Sequence, residues 1–322
     1  MQARIAQMMT TSTASGKIIL FGEHAVVYGR PAIAVPVAQV RATATVTDAP
    51  PGSGCTIVAQ DIGEETRLAA AAATHPLALV LRLALEEAGI GAEPDWRFVL
   101  TSDIPIASGL GSGAAISAAL VRALLTHAGQ PAPAETVSRL VYRSEELFHG
   151  TPSGIDNAVI AYERPVWFVK GQPPESFAVG QPFTLAIADS GIPSPTKESV
   201  GDVRRAWEAD PAGYEAIFSR IADVVHGARR AIRDGNLAAI GALMNTNQQR
   251  LEELGVSSPA LEKLIDAARA AGAKGAKLSG GGRGGNLIAL VDEESAEAVQ
   301  TALVNAGAKR VILTQVGTAG IG

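Results

Sequence analysis

At 322 residues the chain favours two domains over one, and 47% hydrophobic against 18% charged residues excludes a disordered protein. A net charge of -5, no Lys/Arg-rich run and only 4% aromatic residues give a nucleic-acid partner neither an electrostatic footprint nor a stacking platform. An anionic ligand must therefore be held by local devices, such as helix N-termini and a few placed cations.

The first residues (MQARIAQMMTTSTASG) have no apolar run of signal-peptide length and read as a frayed leader before the first strand. No stretch reaches transmembrane length, so a cytoplasmic protein without a membrane partner is expected. Strands are predicted at 16–21 (GKIILF), 37–46 (VAQVRATATV) and 97–102 (RFVLTS). Cys55 is the single cysteine and reads as a free thiol in a Gly/Pro-rich loop, so neither a disulfide nor a thiolate zinc site can form within the chain. Helical spacing marks 76–88, where Leu77, Val80, Leu81 and Ala84 share a face, and then 113–128 and 134–149. The composition shifts at 171–183 (GQPPESFAVGQPF), which divides the chain into domains 1–180 and 181–322. Beyond it come a strand (FTLAIAD), helical stretches between about 196 and 272, strands AKLSG and NLIALVD around a Gly-rich turn, a helix at 295–306 and a strand (RVILTQV). A small antiparallel sheet with helices on one face absorbs that order, which makes the fold class α+β.

Three glycine-rich segments carry chemistry. Pro105-Ile-Ala-Ser-Gly109-Leu-Gly111-Ser112-Gly113-Ala-Ala links a predicted strand to a predicted helix. Glycines allow close backbone approach there, and the unpaired N–H groups at the helix start attract an anion such as a phosphate chain. An ordinary strand-to-helix turn is the plainer alternative. Gly109, Gly111 and Ala114 formally fit a dinucleotide fingerprint but lie outside its expected context, and a Walker A loop is absent. In Ser15-Gly-Lys17-Ile-Ile-Leu-Phe-Gly22-Glu23-His24, polar groups bracket an apolar strand, which suits a site or a surface turn. Lys277-Leu-Ser279-Gly280-Gly-Gly-Arg283-Gly284-Gly285-Asn286 holds more glycine than a plain hairpin needs. It reads as a loop pressed against a ligand or another backbone, or as a mobile lid. Between the first and third lies Glu145-Glu-Leu-Phe-His149-Gly-Thr-Pro-Ser153-Gly-Ile-Asp156-Asn157. Glu145 and His149 are one helical turn apart, Gly150 and Pro152 stop the helix, and Asp156 either caps the next helix or serves chemistry.

Taken in order, these segments resemble the three signature motifs of the GHMP kinases over nearly the whole chain. Galactokinases continue the GEH with Thr-Asp, whereas GEHAVVYG resembles the mevalonate kinase branch. HGTPSGIDNAV, SGIPSPTKESVGDVR and LGVSSPALEKLI…GAKGAKLSG point the same way. The resemblance implies a two-domain GHMP kinase fold, with a ribosomal protein S5 domain 2-like N-terminal domain and a ferredoxin-like C-terminal domain. It implies ATP-dependent phosphorylation of the 5-hydroxyl of mevalonate, with ATP and Mg²⁺ as cofactors. Carried over position by position, Pro105, Ala107, Ser108, Gly109, Leu110, Gly111, Ser112, Gly113 and Ala114 wrap the nucleotide phosphates. Glu145, with Ser112, is the implied Mg²⁺ ligand. Asp156 is the implied base for the acceptor hydroxyl and Lys17 the cation beside it, while Glu23, His24 and Ser153 line the substrate.

Two departures stand out. Gly113 replaces the second serine of the usual G-L-G-S-S-A-A, and Arg283 and Asn286 interrupt the third glycine run. A phosphomevalonate or other mevalonate-type kinase is the nearest rival reading, and a non-catalytic metabolite sensor of the same fold is a more distant one. A homodimer is compatible with the sequence but not required by it.

Overall fold

The computed structural model describes residues 8–105, 108–149, 154–194 and 196–317. Ala107 and Ser153 therefore lie outside the described residues. The chain forms two compact units, one of Met1–Gly16, Val40–Pro105 and Gly111–Tyr162, the other of Lys17–Gln39, Ile106–Leu110 and Glu163–Gly322. Strands β1 (Met9–Phe21) and β2 (Ala32–Asp48) pair with each other, and each passes through both units because the divisions fall inside them.

In the first unit, the ATATVT run of β2 alternates in burial: Ala42, Ala44 and Val46 are fully buried while Thr43, Thr45 and Thr47 are half-buried. This part of β2 pairs antiparallel with β5 (Trp96–Ser102), from Ala42 opposite Ser102 to Asp48 opposite Trp96. Beyond β5 lie β3 (Thr56–Ala59), which runs parallel to it, and the short edge strand β4 (Glu64–Arg67). The helices are α1 (Pro76–Glu87), α2 (Ser112–His127), α3 (Ala134–His149) and α4 (Ile155–Tyr162). Helix α2 packs on α1, α3, α4 and β5. Its buried Ala114, Ala115, Ala118, Ala119 and Ala123 let those neighbours approach closely.

The second unit contains a 3-10 turn at Ala25–Tyr28, followed by the start of β2 paired with β6 (Val166–Phe168), and β6 in turn with β7 (Glu175–Ser176). Next come β8 (Phe183–Asp189), α5 (Thr196–Ala209), α6 (Pro211–Asp234), α7 (Leu237–Glu253), α8 (Pro259–Ala270), β9 (Gly275–Ser279), β10 (Asn286–Val291), α9 (Ala296–Asn305) and β11 (Arg310–Val316). Side-chain caps start three of these helices: Asp210, Asn236 and Ser258 accept the amides of Gly213, Ala239 and Leu261. The strands form an antiparallel sheet in the order β11-β8-β10-β9. With the α5–α8 run as one crossover and α9 as the other, this is the β-α-β-β-α-β arrangement of a ferredoxin-like domain.

The structure corrects the sequence reading in places. Much of the leader is strand: β1 begins at Met9, Thr11 Oγ1 lies 3.0 Å from Thr45 Oγ1, and Thr13 Oγ1 accepts from Arg41. Strands β3, β4, β6 and β7 were not predicted. Cys55 is a free thiol but a buried one, pushed up to about 12 by that burial and by the neighbouring Glu93.

Candidate active site

In the second unit, β1 ends in a sharp turn. Gly22 has φ +97°, and a Cβ there would sit 2.5 Å from the Pro31 carbonyl oxygen and 2.6 Å from Ala32 Cα. His24 follows with φ 59° and ψ -50°, and the Ala25 amide donates to the Glu23 carbonyl at 2.7 Å. That is a γ-turn of the positive-φ kind, which is rare and strained for a non-glycine residue. Tyr28 anchors the segment by stacking on Phe218 of α6 at 4.2 Å and against Trp207 of α5 at 5.5 Å.

The turn meets the third glycine-rich segment. Lys277 Nζ donates to Glu23 Oε1 and to the Leu278 carbonyl oxygen, the latter at 2.6 Å, and both charged side chains are fully buried. Ser279 Oγ donates to the Ile19 carbonyl at 2.7 Å. His24 Nε2 donates to the Gly281 carbonyl at 3.1 Å, which fixes the tautomer and makes Nδ1 an acceptor. Burial lowers the His24 pKa to about 4, and the Arg283 charge acts in the same direction, so the imidazole is neutral at pH 7. Burial likewise pushes Glu23 up and Lys277 down, against their mutual attraction. Among the described residues, Glu23 Oε2 and His24 Nδ1 are buried and have no hydrogen-bond partner.

The third segment is packed against backbone, as one of the two sequence readings held. A Cβ on Gly284 would lie 2.6 Å from the Ile192 carbonyl oxygen, and the Arg283 amide donates to the Val256 carbonyl at 2.8 Å. The two intruding residues have partners. Arg283 forms an ion pair with Asp202 of α5, whose carboxyl is held below its usual range by that guanidinium. Asn286 Nδ2 donates to the Ser108 carbonyl at 2.5 Å, while the Lys17 amide donates to the Leu110 carbonyl at 2.9 Å. The Ser108–Gly109–Leu110 stretch is thus tied to β10 on one side and to β1 on the other. Asn286→Ala removes one such tie and is expected to raise KM for ATP about fivefold, the equivalent of roughly 1 kcal/mol. Steady-state titration of ATP checks this, and an unchanged KM would detach Asn286 from nucleotide binding.

In the first unit, Gly111 takes a left-handed conformation (φ 76°, ψ 32°) as the N-cap of α2 and supplies no side-chain cap. The amides of Ser112, Gly113 and Ala114 follow it in the first turn, the geometry that receives a phosphate. Gly113 is exposed, and a Cβ there would meet nothing within 4 Å. Glu145 is half-buried on α3, which packs on α2. Asp156 is half-buried in the first turn of α4, inside the helix and not at its cap.

Two residues that the sequence reading passed over hold α4 in place. Asn157 Nδ2 donates to the Ser138 carbonyl (3.1 Å) and hydroxyl (2.9 Å) on α3. Arg122 of α2 donates to the Thr13 carbonyl at 2.7 Å and to the Ile160 and Ala161 carbonyls at 3.2 and 2.8 Å. The signal for Arg122 was its position as a lone charge in the otherwise apolar run SAALVRALL.

The GHMP kinases N terminal domain matches residues 75–164 and the GHMP kinases C terminal domain matches 228–309. A mevalonate kinase of Pyrococcus furiosus is 33% identical, covering 98% of this chain and 98% of the relative. One from Thermococcus sibiricus is also 33% identical, covering 95% and 96%. The crystal structure of L. major mevalonate kinase in complex with R-mevalonate matches with a TM-score of 0.85 at 26% identity, covering 99% of each chain. With both domains matched and such identity along nearly its whole length, the chain belongs to the mevalonate kinase family of the GHMP kinases.

Proposed function

We propose that this protein transfers the γ-phosphoryl group of ATP to the 5-hydroxyl of mevalonate, yielding 5-phosphomevalonate and ADP. The observation that carries this reading is the end-to-end likeness to mevalonate kinases, one of them crystallised with R-mevalonate. The geometry supports it with a glycine-led, uncapped helix start for phosphates and with buried, open acceptor atoms on Glu23 and His24 suited to a hydroxyl-bearing ligand.

In this reading residues 1–180 supply the nucleotide half and 181–322 the ferredoxin-like half. Ser108, Gly109, Leu110, Gly111, Ser112, Gly113 and Ala114 hold the triphosphate through backbone amides, and Pro105 and Ala107 complete the segment without a contact assigned to them. The hydroxyl oxygen attacks the γ-phosphorus, the bond to the bridging oxygen breaks, and ADP leaves. Asp156 accepts the hydroxyl proton as the new bond forms, and the Lys17 ammonium offsets the developing negative charge. Glu23, His24 and Ser153 orient the acceptor.

The donor chemistry of Glu145 and Ser112, one carboxylate and one hydroxyl, suits Mg²⁺, which takes few protein ligands beside phosphate oxygens and water. When bound, the ion would neutralise phosphate charge. Gly113→Ser tests the departure at this point. The open space accepts the side chain, so the variant is expected to gain about 0.5 kcal/mol of stability from leaving glycine. It is also expected to lower the Mg²⁺ concentration for half-maximal rate about twofold, as a further hard oxygen donor would. An unchanged Mg²⁺ requirement would show that Ser112 or water suffices.

Among the described residues no helix is long and apolar enough to cross a membrane, and the proposed setting is the cytoplasm. The decisive assay follows ADP release with ATP, Mg²⁺ and mevalonate, with phosphomevalonate, galactose and homoserine in parallel. Turnover dominated by mevalonate is expected. A preference for another acceptor would overturn the substrate, and silence with all four from folded, ATP-binding protein would overturn the kinase reading.

A further inference from the structure

Lys277 has no role in the reaction as derived so far, yet its surroundings single it out. It is fully buried although β9 is the last strand of its sheet, and the flanking Ala276 and Leu278 are fully buried too. Its ammonium reaches across to Glu23, 254 residues earlier in the chain. A buried ion pair is a poor choice for stability alone, since apolar residues of similar volume commonly serve as well or better. The placement instead fixes geometry at one point, the Gly22–His24 turn.

We infer that Lys277 is a positioning residue for phosphoryl transfer, acting through Glu23 to hold the Gly22–His24 turn in the form that receives the acceptor. Three contacts fasten this turn and the end of β1 to the third glycine-rich segment: Lys277 to Glu23, Ser279 to Ile19, and His24 to Gly281. The turn needs fastening because His24 is held at φ 59°. Lys277 engages Glu23 Oε1 and leaves Oε2 open, next in sequence to the open Nδ1 of His24. Lys277 is the charge facing Glu23, His24 beside it is neutral at pH 7, and the charge of Arg283 bears on His24. The lysine therefore aims the acceptor atoms of the turn without touching the substrate. This inference rests on the proposed placement of Glu23 and His24 at the acceptor.

Steady-state kinetics with ATP and mevalonate test it. Lys277→Met is expected to raise KM for mevalonate about tenfold and to leave KM for ATP within about twofold, because the turn and not the phosphate loop loses its fastening. The double variant Glu23→Gln/Lys277→Met removes both charges, so its thermal midpoint is expected to recover towards the parent value while KM for mevalonate stays raised. A parental KM for mevalonate in either variant would reduce the pair to a packing device and overturn the inference. His24→Ala separates the two layers: if it raises KM for mevalonate while the Lys277 variants do not, the role of Lys277 alone fails. If His24→Ala also leaves that KM unchanged, the placement of the turn at the acceptor fails. Should the variants not fold, hydrogen exchange on the unmodified protein decides. Added mevalonate is expected to protect the 22–28 and 275–284 segments together, and protection of the first without the second would overturn the coupling.

Discussion

Asp156→Asn is expected to lower kcat by about 10²–10⁴-fold, the range for loss of a positioned general base. The substitution keeps the shape of the side chain and one acceptor oxygen, so a hydroxyl could still be oriented but its proton could no longer be taken up. The scaffold should tolerate it. Helix α4 is held by Asn157 on Ser138 and by Arg122 on the Ile160 and Ala161 carbonyls, and none of these bonds involves the Asp156 side chain. KM for ATP is therefore expected to stay within about twofold, since the loss falls on the transition state and not on nucleotide binding. Single-turnover measurement of phosphoryl transfer separates chemistry from product release. A loss below about tenfold would leave Asp156 as an orienting group and require the proton to go directly to solvent or phosphate.

Gly22→Ala is expected to cost far more stability than a methyl added at an open site such as Gly113. Two costs combine at this site. The backbone is fixed at φ +97°, which an alanine adopts only under strain of about 1–3 kcal/mol. The new methyl would also press on the Pro31 carbonyl and on Ala32 at 2.5–2.8 Å, where backbone has to move, at a further cost of about 1–3 kcal/mol. A loss of about 3 kcal/mol or more in chemical denaturation is expected. Gly113→Ala is the matched control, because its methyl meets nothing within 4 Å and its helical position favours alanine. Equal denaturation midpoints for the two variants would show that the Gly22 turn relaxes without cost.

The periodic elements were legible in the sequence because each buries a face by a simple repeat. The helices at 76–88, 113–128 and 134–149 emerge as α1, α2 and α3 within a residue or so at each end, and the strands and helices beyond 183 follow the predicted order. The short strands escaped for a physical reason. Thr56–Ala59, Glu64–Arg67 and Glu175–Ser176 are too brief to show a period, and each is strand because a neighbouring strand offers it a ladder. The site was legible as motifs but not as contacts. Glycine spacing marked the segment proposed to hold phosphates and the turn after β1, whereas the pairing of Glu23 with Lys277 and of Asn286 with Ser108 joins residues far apart in the chain. Arg283 illustrates the same limit, since in the sequence it stands out only as an interruption of the glycine run and the structure pairs it with Asp202.

The weave of the two units carries a consequence for biosynthesis. The second unit draws on Lys17–Gln39, Ile106–Leu110 and everything from Glu163 onwards. A nascent chain therefore exposes the Gly22–His24 turn long before its supports exist. Lys277 leaves the ribosome 254 residues after Glu23, roughly 10–50 s later at ordinary elongation rates. Through that interval the carboxylate of Glu23 stays solvated and the apolar strand around it, Ile18 to Phe21, lacks its final cover. The contacts that fasten the Gly22–His24 turn, Lys277 to Glu23 and His24 to Gly281, can form only after the third glycine-rich segment has been made.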